Sequence, residues 1–197
     1  NFNADFSKAI GSDMNFAMGL EWREETFTTV PGEIAAINGN TSGMSSVKPA
    51  DAGAFSRDNV AVYADLEHDI SDDLLMQYAV RYEDFSDFGS TANGKVAGRY
   101  TVSDSLTIRG SMSTGFHAPT PGQANVSTVI TTFDGTTGLQ VEEGLVRPTS
   151  AAALAAGGAP LKEEESVNLS LGFTTDLTDS MTLTFDMYQV AVDDRSE

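Results

Sequence analysis

The segment from Leu106 to His117 constrains the fold of this chain more than any other stretch, because its side chains alternate between two chemical characters. One parity is mostly apolar and the other is polar and charged: Leu106, Ile108, Gly110, Met112, Thr114 and Phe116 against Thr107, Arg109, Ser111, Ser113, Gly115 and His117. A period of two is that of a β-strand whose two faces meet different surroundings. Pro119 and Pro121 follow, and they end the strand because proline cannot donate to a ladder.

A short turn element recurs four times, and each copy lies between two alternating runs. In each copy apolar residues enclose three residues drawn from Gly, Ser, Thr and Asp: Ile10 to Met14, Ile70 to Leu74, Val102 to Leu106 and Leu177 to Met181. Such residues turn the backbone or bond to it locally. The sequence therefore predicts an all-β, antiparallel up-and-down meander of about eight strands. The predicted hairpins are about 1–27, 59–86, 93–116 and 163–193.

The connections alternate between tight turns and longer loops, at about 28–58, 87–92 and 117–162. Short turns on one side and long loops on the other are typical of a transmembrane β-barrel of the outer-membrane type. Strands of about 10 residues suit a tilted crossing of the bilayer. A soluble antiparallel sheet with its polar face in bulk water shows the same alternation, so alternation alone does not separate the two.

Charged residues on the polar face favour the barrel over a sandwich core. They are Arg23, Glu67, Arg81, Glu83, Lys95, Arg99 and Arg109. So many charges are costly in a packed core but reasonable on the wet inner wall of a barrel. Aromatic residues near strand ends, such as Trp22, Phe85 and Phe116, agree with an interfacial girdle.

Composition excludes several classes of function. The chain has 29 acidic and 11 basic residues and a net charge of −18, so nucleic acid is not an expected partner. It has no cysteine, and therefore no disulfide framework or thiolate site. Neither a signal peptide nor a membrane helix is expected. Both ends resemble strands cut short, so we expect a piece of a longer protein.

Two segments resemble TonB-dependent outer-membrane receptors. Arg109 to Thr120 (RGSMSTGFHAPT) is similar to their strand followed by G-F-R-A-P, and Leu161 to Phe173 (LKEEESVNLSLGF) is similar to their L-x-P-E-x-S-x-N-x-E-x-G strand. The segments Arg81 to Gly89 and Tyr188 to Arg195 also fit. The resemblance covers roughly 59–195 by motif and 1–58 by pattern. His117 stands where the family usually has arginine.

The resemblance implies a barrel of about 22 strands, filled by an N-terminal plug, in the bacterial outer membrane. It implies uptake of a scarce nutrient, such as a ferric siderophore, cobalamin or a glycan, with energy from the TonB complex acting through the plug. We expect this chain to be a partial barrel that lacks the plug and the TonB box, and also the family's aromatic C-terminal residue. Its expected partners are outer-membrane lipid and the imported ligand, and no cofactor or metal is expected.

Long loops on a rigid barrel carry binding, so the candidate ligand contacts are polar residues of the outer loops. They are His117, Gln123, Asp134, Glu142, Glu143 and Arg147 in the longest loop and Glu25, Asp84 and Asp87 elsewhere. Solvated loop charge is the plainer interpretation of each residue taken singly. In the same loop, residues 149–159 are predicted to form one or two helical turns, with Thr149 or Ser150 as N-cap and Gly157 as the stop.

Three alternatives complete the predictions. A small self-contained outer-membrane barrel with a structural or adhesive role is one. An outer-membrane hydrolase using Ser113 and His117 is the second, although no nucleophile elbow is visible. The third is calcium at Asp69, Asp72 and Asp73, which lack the spacing of a calcium loop, so turn chemistry is favoured there. Uptake by a receptor fragment, without enzyme activity, is the primary hypothesis.

Overall fold

The computed structural model describes residues 1–34 and 47–193. This part of the chain is mainly strand. The strands are β1 (Phe2–Ile10), β2 (Met14–Thr29), β3 (Gly53–Ser71), β4 (Leu74–Phe85), β5 (Gly89–Ser103), β6 (Leu106–His117), β7 (Thr128–Phe133), β8 (Gln140–Leu145), β9 (Glu164–Thr178) and β10 (Met181–Asp193). The short helices are α1 (Pro121–Asn125) and α2 (Ala151–Ala155).

Eight strands form one sheet in the order β1-β2-β3-β4-β5-β6-β9-β10, and β7 and β8 form a separate pair. The four predicted hairpins are antiparallel neighbours, with Phe2 opposite Trp22 in the first and Val96 opposite Met112 in the third. β6 pairs with β9 across the longest loop, where Arg109 lies opposite Gly172. The predicted antiparallel meander of eight strands is confirmed.

Two loop predictions need correction, because strands extend further than the alternation indicated. The predicted loop 87–92 is a turn of three residues, since β4 ends at Phe85 and β5 begins at Gly89. Gly89 has a φ of 112°, a conformation that favours glycine and permits the tight turn. β3 begins at Gly53, which shortens the predicted loop 28–58; residues 35–46 of that loop lie outside the described residues.

The longest loop contains local structure rather than irregular chain. It holds α1, the hairpin of β7 and β8, and α2. The predicted helical turns are confirmed at Ala151–Ala155, where the Ser150 side chain caps the Ala153 amide. Gly157 follows with a φ of 92°, as expected of a glycine that stops a helix.

The chain divides into two compact units. One, here called the wall unit, comprises residues 1–23, 58–118 and 163–197, and the other, the loop unit, comprises residues 24–57 and 119–162. No helix in the described ranges is long and apolar enough to cross a membrane.

The wall unit leaves its apolar face exposed instead of burying it in a core. Along β4, Tyr78, Val80 and Tyr82 are 39%, 62% and 47% exposed, and similar apolar side chains follow on the other strands of the sheet. Among the described hydrophobic residues only Ala61 and Phe85 are buried. An apolar face of this extent needs an apolar partner, and hydrocarbon supplies one.

Candidate functional site

Strand alternation places most charged side chains of the wall unit on the face opposite the apolar one. Arg81 is the centre of one cluster, in which its guanidinium donates to Glu21 at 2.8 Å and to Glu83 at 2.6 Å. Glu83 is only 6% exposed, so the Arg81 guanidinium compensates a buried carboxylate. The ion pair joins β2 to β4 across β3 and ties three strands together.

Two further bonds on this face pass over a glycine in the intervening strand. The Tyr63 hydroxyl donates to Asp5 at 2.8 Å, and an added Cβ on Gly19 would collide with the Tyr63 ring. In the same way the Arg109 guanidinium reaches Asp186 at 2.6 Å over Gly172, where a Cβ would collide with the Asp186 carboxylate. Because glycine has no side chain, these two positions leave room for a side chain of one neighbouring strand to reach across to the strand on the other side.

Aromatic residues gather at one end of the strands. Phe85 stacks on Phe88 with ring centroids 4.6 Å apart and meets Phe116 edge-on at 5.9 Å. Asn59, opposite Phe85 in the register, is 1% exposed, and its side-chain amide has no hydrogen-bond partner within the described ranges. The sequence indicated aromatic residues near strand ends, but it did not indicate a buried asparagine beside them.

The loop unit has its own ion pair, in which the arginine is buried and the glutamate is partly exposed. Arg57 is 5% exposed; its guanidinium pairs with Glu25 at 2.6 Å and also donates to the backbone carbonyl of Pro119. Glu25 was predicted as a ligand contact, and here its carboxylate neutralises a buried cation. Arg57 was not singled out because it fell in a predicted loop, where a charge is usually solvated.

Arg147, another predicted contact, holds three segments of the loop unit together. Its guanidinium donates to the carbonyls of Asn125 at 3.0 Å and Asp51 at 2.8 Å, and it lies 4.6 Å from the centre of the Phe55 ring. A planar guanidinium group can donate several hydrogen bonds and stack on an aromatic ring at the same time. The side chain therefore orders the loop backbone.

The side chains of Gln123 and Asp134 also accept from backbone amides two or three residues away. Gln123 completes a capping box with Thr120 at the start of α1. The Asp134 carboxylate accepts from the amides of Thr136 and Thr137 at 3.0 and 2.6 Å in the turn between β7 and β8. Hydrogen bonds from Thr137 and then Thr136 lower the pKa of Asp134 below its ordinary value of 3.8.

The other five predicted contacts are not brought together. His117 ends β6 with its side chain 63% exposed, and its Nδ1 lies 3.9 Å from Glu164. Glu142 and Glu143 are on β8; Glu143 is exposed, and the side chain of Glu142 is outside the described part. Asp84 and Asp87 are exposed near the turn after β4, and Asp84 shares the parity of the apolar residues Val80 and Tyr82.

The geometry does not assemble a catalytic or calcium site from the alternatives. Ser113 and His117 are four residues apart on β6, which separates their Cα atoms by roughly 13 Å and puts them beyond hydrogen-bond reach. Ser71 accepts from the amides of Asp73 and Leu74 in the turn that holds the aspartates. No group of three or more potential metal ligands is found in the part of the chain that the structure describes.

Comparison with known proteins gives the family. The family model for the TonB dependent receptor-like β-barrel matches residues 1–197, so the chain belongs to that family. No curated protein matches the sequence. The resemblance seen in the two motif segments is thereby confirmed.

Solved structures show the same fold. The siderophore receptor PirA from Acinetobacter baumannii has a TM-score of 0.69 and 17% identity over 98% of this chain. The ferric enterobactin receptor PfeA from Pseudomonas aeruginosa, as a variant, has a TM-score of 0.70 and 14% identity over 96% of this chain. The chain spans 26% of the length of each of these receptors.

Proposed function

We propose that this chain is part of the wall of an outer-membrane receptor that takes up a small molecule of the siderophore class. The observation that carries the proposal is the family match over residues 1–197. The similar structures are receptors named for siderophores, one of them for ferric enterobactin, which favours this ligand class over cobalamin or a glycan. The TonB complex would supply the energy through the rest of the receptor.

The exposed apolar face supports a location in the bacterial outer membrane. In a closed barrel that face meets lipid and the charged face meets the polar interior. The alternative, a small outer-membrane barrel with a structural or adhesive role, shares this location. It differs from the proposed receptor only in that it takes up no nutrient. Uptake therefore has to be tested with the full-length receptor rather than with this chain.

The nine predicted loop residues divide into two groups within the proposal. We assign a structural role to the four residues that bond to loop backbone or to a buried cation: Glu25, Gln123, Asp134 and Arg147. His117, Glu142, Glu143, Asp84 and Asp87 remain the proposed ligand contacts. His117 has the strongest support, because its exposed ring ends the strand that carries the family motif.

The test is uptake by cells with and without the gene for the full-length receptor. We expect the deletion strain to lose uptake of one labelled ferric siderophore under iron limitation and plasmid-borne receptor to restore it. Uptake should also stop when the TonB complex is removed. Unchanged uptake across a panel of ferric siderophores, cobalamin and maltodextrins, together with insertion and closure of this chain alone in bilayers, would support the small-barrel alternative.

A further inference from the structure

An open groove of about 490 Å³ lies on the apolar face of the wall unit, here called the outward face. Three neighbouring strands form it: β6, β9 and β10. The side chains that line it are all apolar: Leu106, Ile108, Leu171, Phe173, Phe185 and Met187. Within this lining the rings of Phe173 and Phe185 stack with their centroids 5.8 Å apart. In the proposed membrane location the groove therefore opens toward lipid.

The groove matches one leaflet of a bilayer in length and position. Leu106 is its first lining residue on β6, and Leu171 lies opposite Gly110 in the register, so the lining extends over four residues of β6. Four residues of strand are about 13 Å long, and half of the hydrocarbon core of a bilayer is about 15 Å. The groove begins directly after the turn between β5 and β6. Short turns of outer-membrane barrels are on the periplasmic side, so the groove lies in the periplasmic leaflet.

Two acidic turns lie side by side at the periplasmic end of the groove. The Asp176 amide donates to the Ser105 carbonyl at 2.9 Å, which joins β9 to the turn before β6. Asp104 and Asp179 are exposed in the two turns and form no ion pair within the described ranges. Neither residues 100–108 nor residues 163–194 contain Lys, Arg or His. The turns are therefore negatively charged and supply no cation of their own.

The outward face near the first two turns has the opposite character. Lys8 on β1 has the parity of Phe6, and His68 on β3 has the parity of Leu66, so both basic residues are on the outward face close to a turn. A basic side chain at this depth extends toward the lipid headgroups and attracts their phosphates. The negative charge beside the groove is thus a local feature of β6, β9 and β10.

We infer that the groove binds one acyl chain of a phospholipid with a primary ammonium in its headgroup, the chemistry of phosphatidylethanolamine. The acyl chain covers apolar side chains, and the ammonium donates charge-assisted hydrogen bonds to the carboxylates of Asp104 and Asp179. The same carboxylates repel an anionic headgroup such as that of phosphatidylglycerol. The inference rests on the proposed membrane location and does not depend on which nutrient is carried.

The test is a lipid titration of the full-length receptor in detergent, read out by native mass spectrometry. Phosphatidylethanolamine and phosphatidylglycerol with identical acyl chains are compared, and we expect the ethanolamine lipid to bind about tenfold more tightly. Asp104→Asn combined with Asp179→Asn should remove this preference. Asp72→Asn is the matched control, because Asp72 is also exposed in a tight turn but lies between β3 and β4, away from the groove.

A second pair of variants tests the acyl chain. Leu171→Ala should weaken the binding of both lipids about fivefold, because it removes apolar contact within the groove. Leu169→Ala removes an outward side chain of the same strand outside the lining and should leave binding unchanged.

Four results would overturn the inference. The first is equal binding of the two lipids, and the second is tighter binding of phosphatidylglycerol. The third is a preference that survives the double aspartate substitution, and the fourth is an equal effect of the two leucine substitutions. Siderophore uptake is measured separately, so either proposal can fail without the other.

Discussion

Polar side chains of the wall unit bond mainly to side chains on other strands, whereas those of the loop unit bond largely to backbone. Arg81 on β4 reaches Glu21 on β2, and Arg109 on β6 reaches Asp186 on β10. In the loop unit Arg147 and Asp134 bond to carbonyls or amides. The ladder already satisfies the backbone of a sheet, while irregular chain leaves backbone groups that side chains must satisfy. Ion pairs in the wall unit thus link strands to one another, and many charges in the loop unit hold irregular backbone in place.

Breaking the ion pair of the buried Arg57 in the loop unit should have the largest effect. Arg57→Ala leaves the partly buried Glu25 carboxylate unpaired and the Pro119 carbonyl without its donor. We expect the free energy of local opening of residues 119–134 to fall by about 3 kcal/mol, which is roughly a hundredfold loss of amide protection. Hydrogen exchange of the full-length receptor measures this loss. Lys162→Ala is the control, and an equal loss there would contradict the structural role of Arg57.

The second largest effect is expected from adding a Cβ to a wall-unit glycine over which a side chain passes. In Gly172→Ala the added Cβ meets the Asp186 carboxylate and lies 2.8 Å from the Phe185 carbonyl oxygen, so the bond from Arg109 is displaced. We expect a loss of about 2 kcal/mol in unfolding of the full-length receptor from vesicles by urea. Gly94→Ala is the matched control in the same sheet, because the nearest atom to its Cβ is 3.7 Å away. Equal losses in the two variants would show that Gly172 is not needed for the crossing.

Arg147→Lys should lower stability by a smaller amount. Compared with the same substitution in the wall unit, it tests whether charges of the loop unit are needed for structure. Lysine keeps the charge but loses the forked donation to Asn125 and Asp51 and the stacking on Phe55. We expect protection of the loop unit to fall by about 1 kcal/mol. The same substitution at Arg99, which has no partner in the described wall unit, should leave stability unchanged. A loss at Arg99 equal to that at Arg147 would contradict the comparison.

The smallest expected effect is a pH dependence at the turn between β7 and β8. The pKa of Asp134 is lowered in the folded chain, so its contribution is present above the ordinary carboxyl pKa of 3.8 and is lost as the pH falls below it. We expect protection of the Thr136 and Thr137 amides to fall as the pH is lowered from about 5 to well below the ordinary carboxyl pKa. Asp134→Asn keeps a hydrogen-bond acceptor that does not titrate. In this variant we expect the protection of the two amides not to change with pH. A profile unchanged by this substitution would assign the pH dependence to other groups.

The fold was predictable from the sequence because alternation and turn chemistry are local signals. Four turns of the type seen at Asp104 and Ser105, each between runs of period two, define the hairpins and their pairing. Strand ends were less predictable, since Gly89 and Gly53 begin strands although glycine is typical of loops. The cap at Ser150 and the stop at Gly157 were found because helix ends also have local signatures.

The candidate site was harder to predict because its contacts join residues far apart in the chain. Glu25 and Arg147 have the composition of ligand contacts, but their partners Arg57 and Asp51 are distant in sequence. The glycines over which side chains pass left only a weak signal, since Gly19 and Gly172 fall on the polar parity of their strands beside residues such as Ala17 and Ser170. The lack of basic residues in β9 and β10 is visible in the sequence alone.

The central claim is that the sheet has a lipid-facing side and a water-facing side, and cysteine scanning of β5 tests it most directly. The chain has no cysteine, so each introduced thiol in this region reports on one position. Single cysteines at residues 95 to 100 of the full-length receptor in membranes would be labelled with a membrane-impermeant or a lipid-soluble reagent. We predict that positions 95, 97 and 99 react with the aqueous reagent and positions 96, 98 and 100 with the lipid-soluble one. Uniform aqueous labelling at all six positions would contradict the claim.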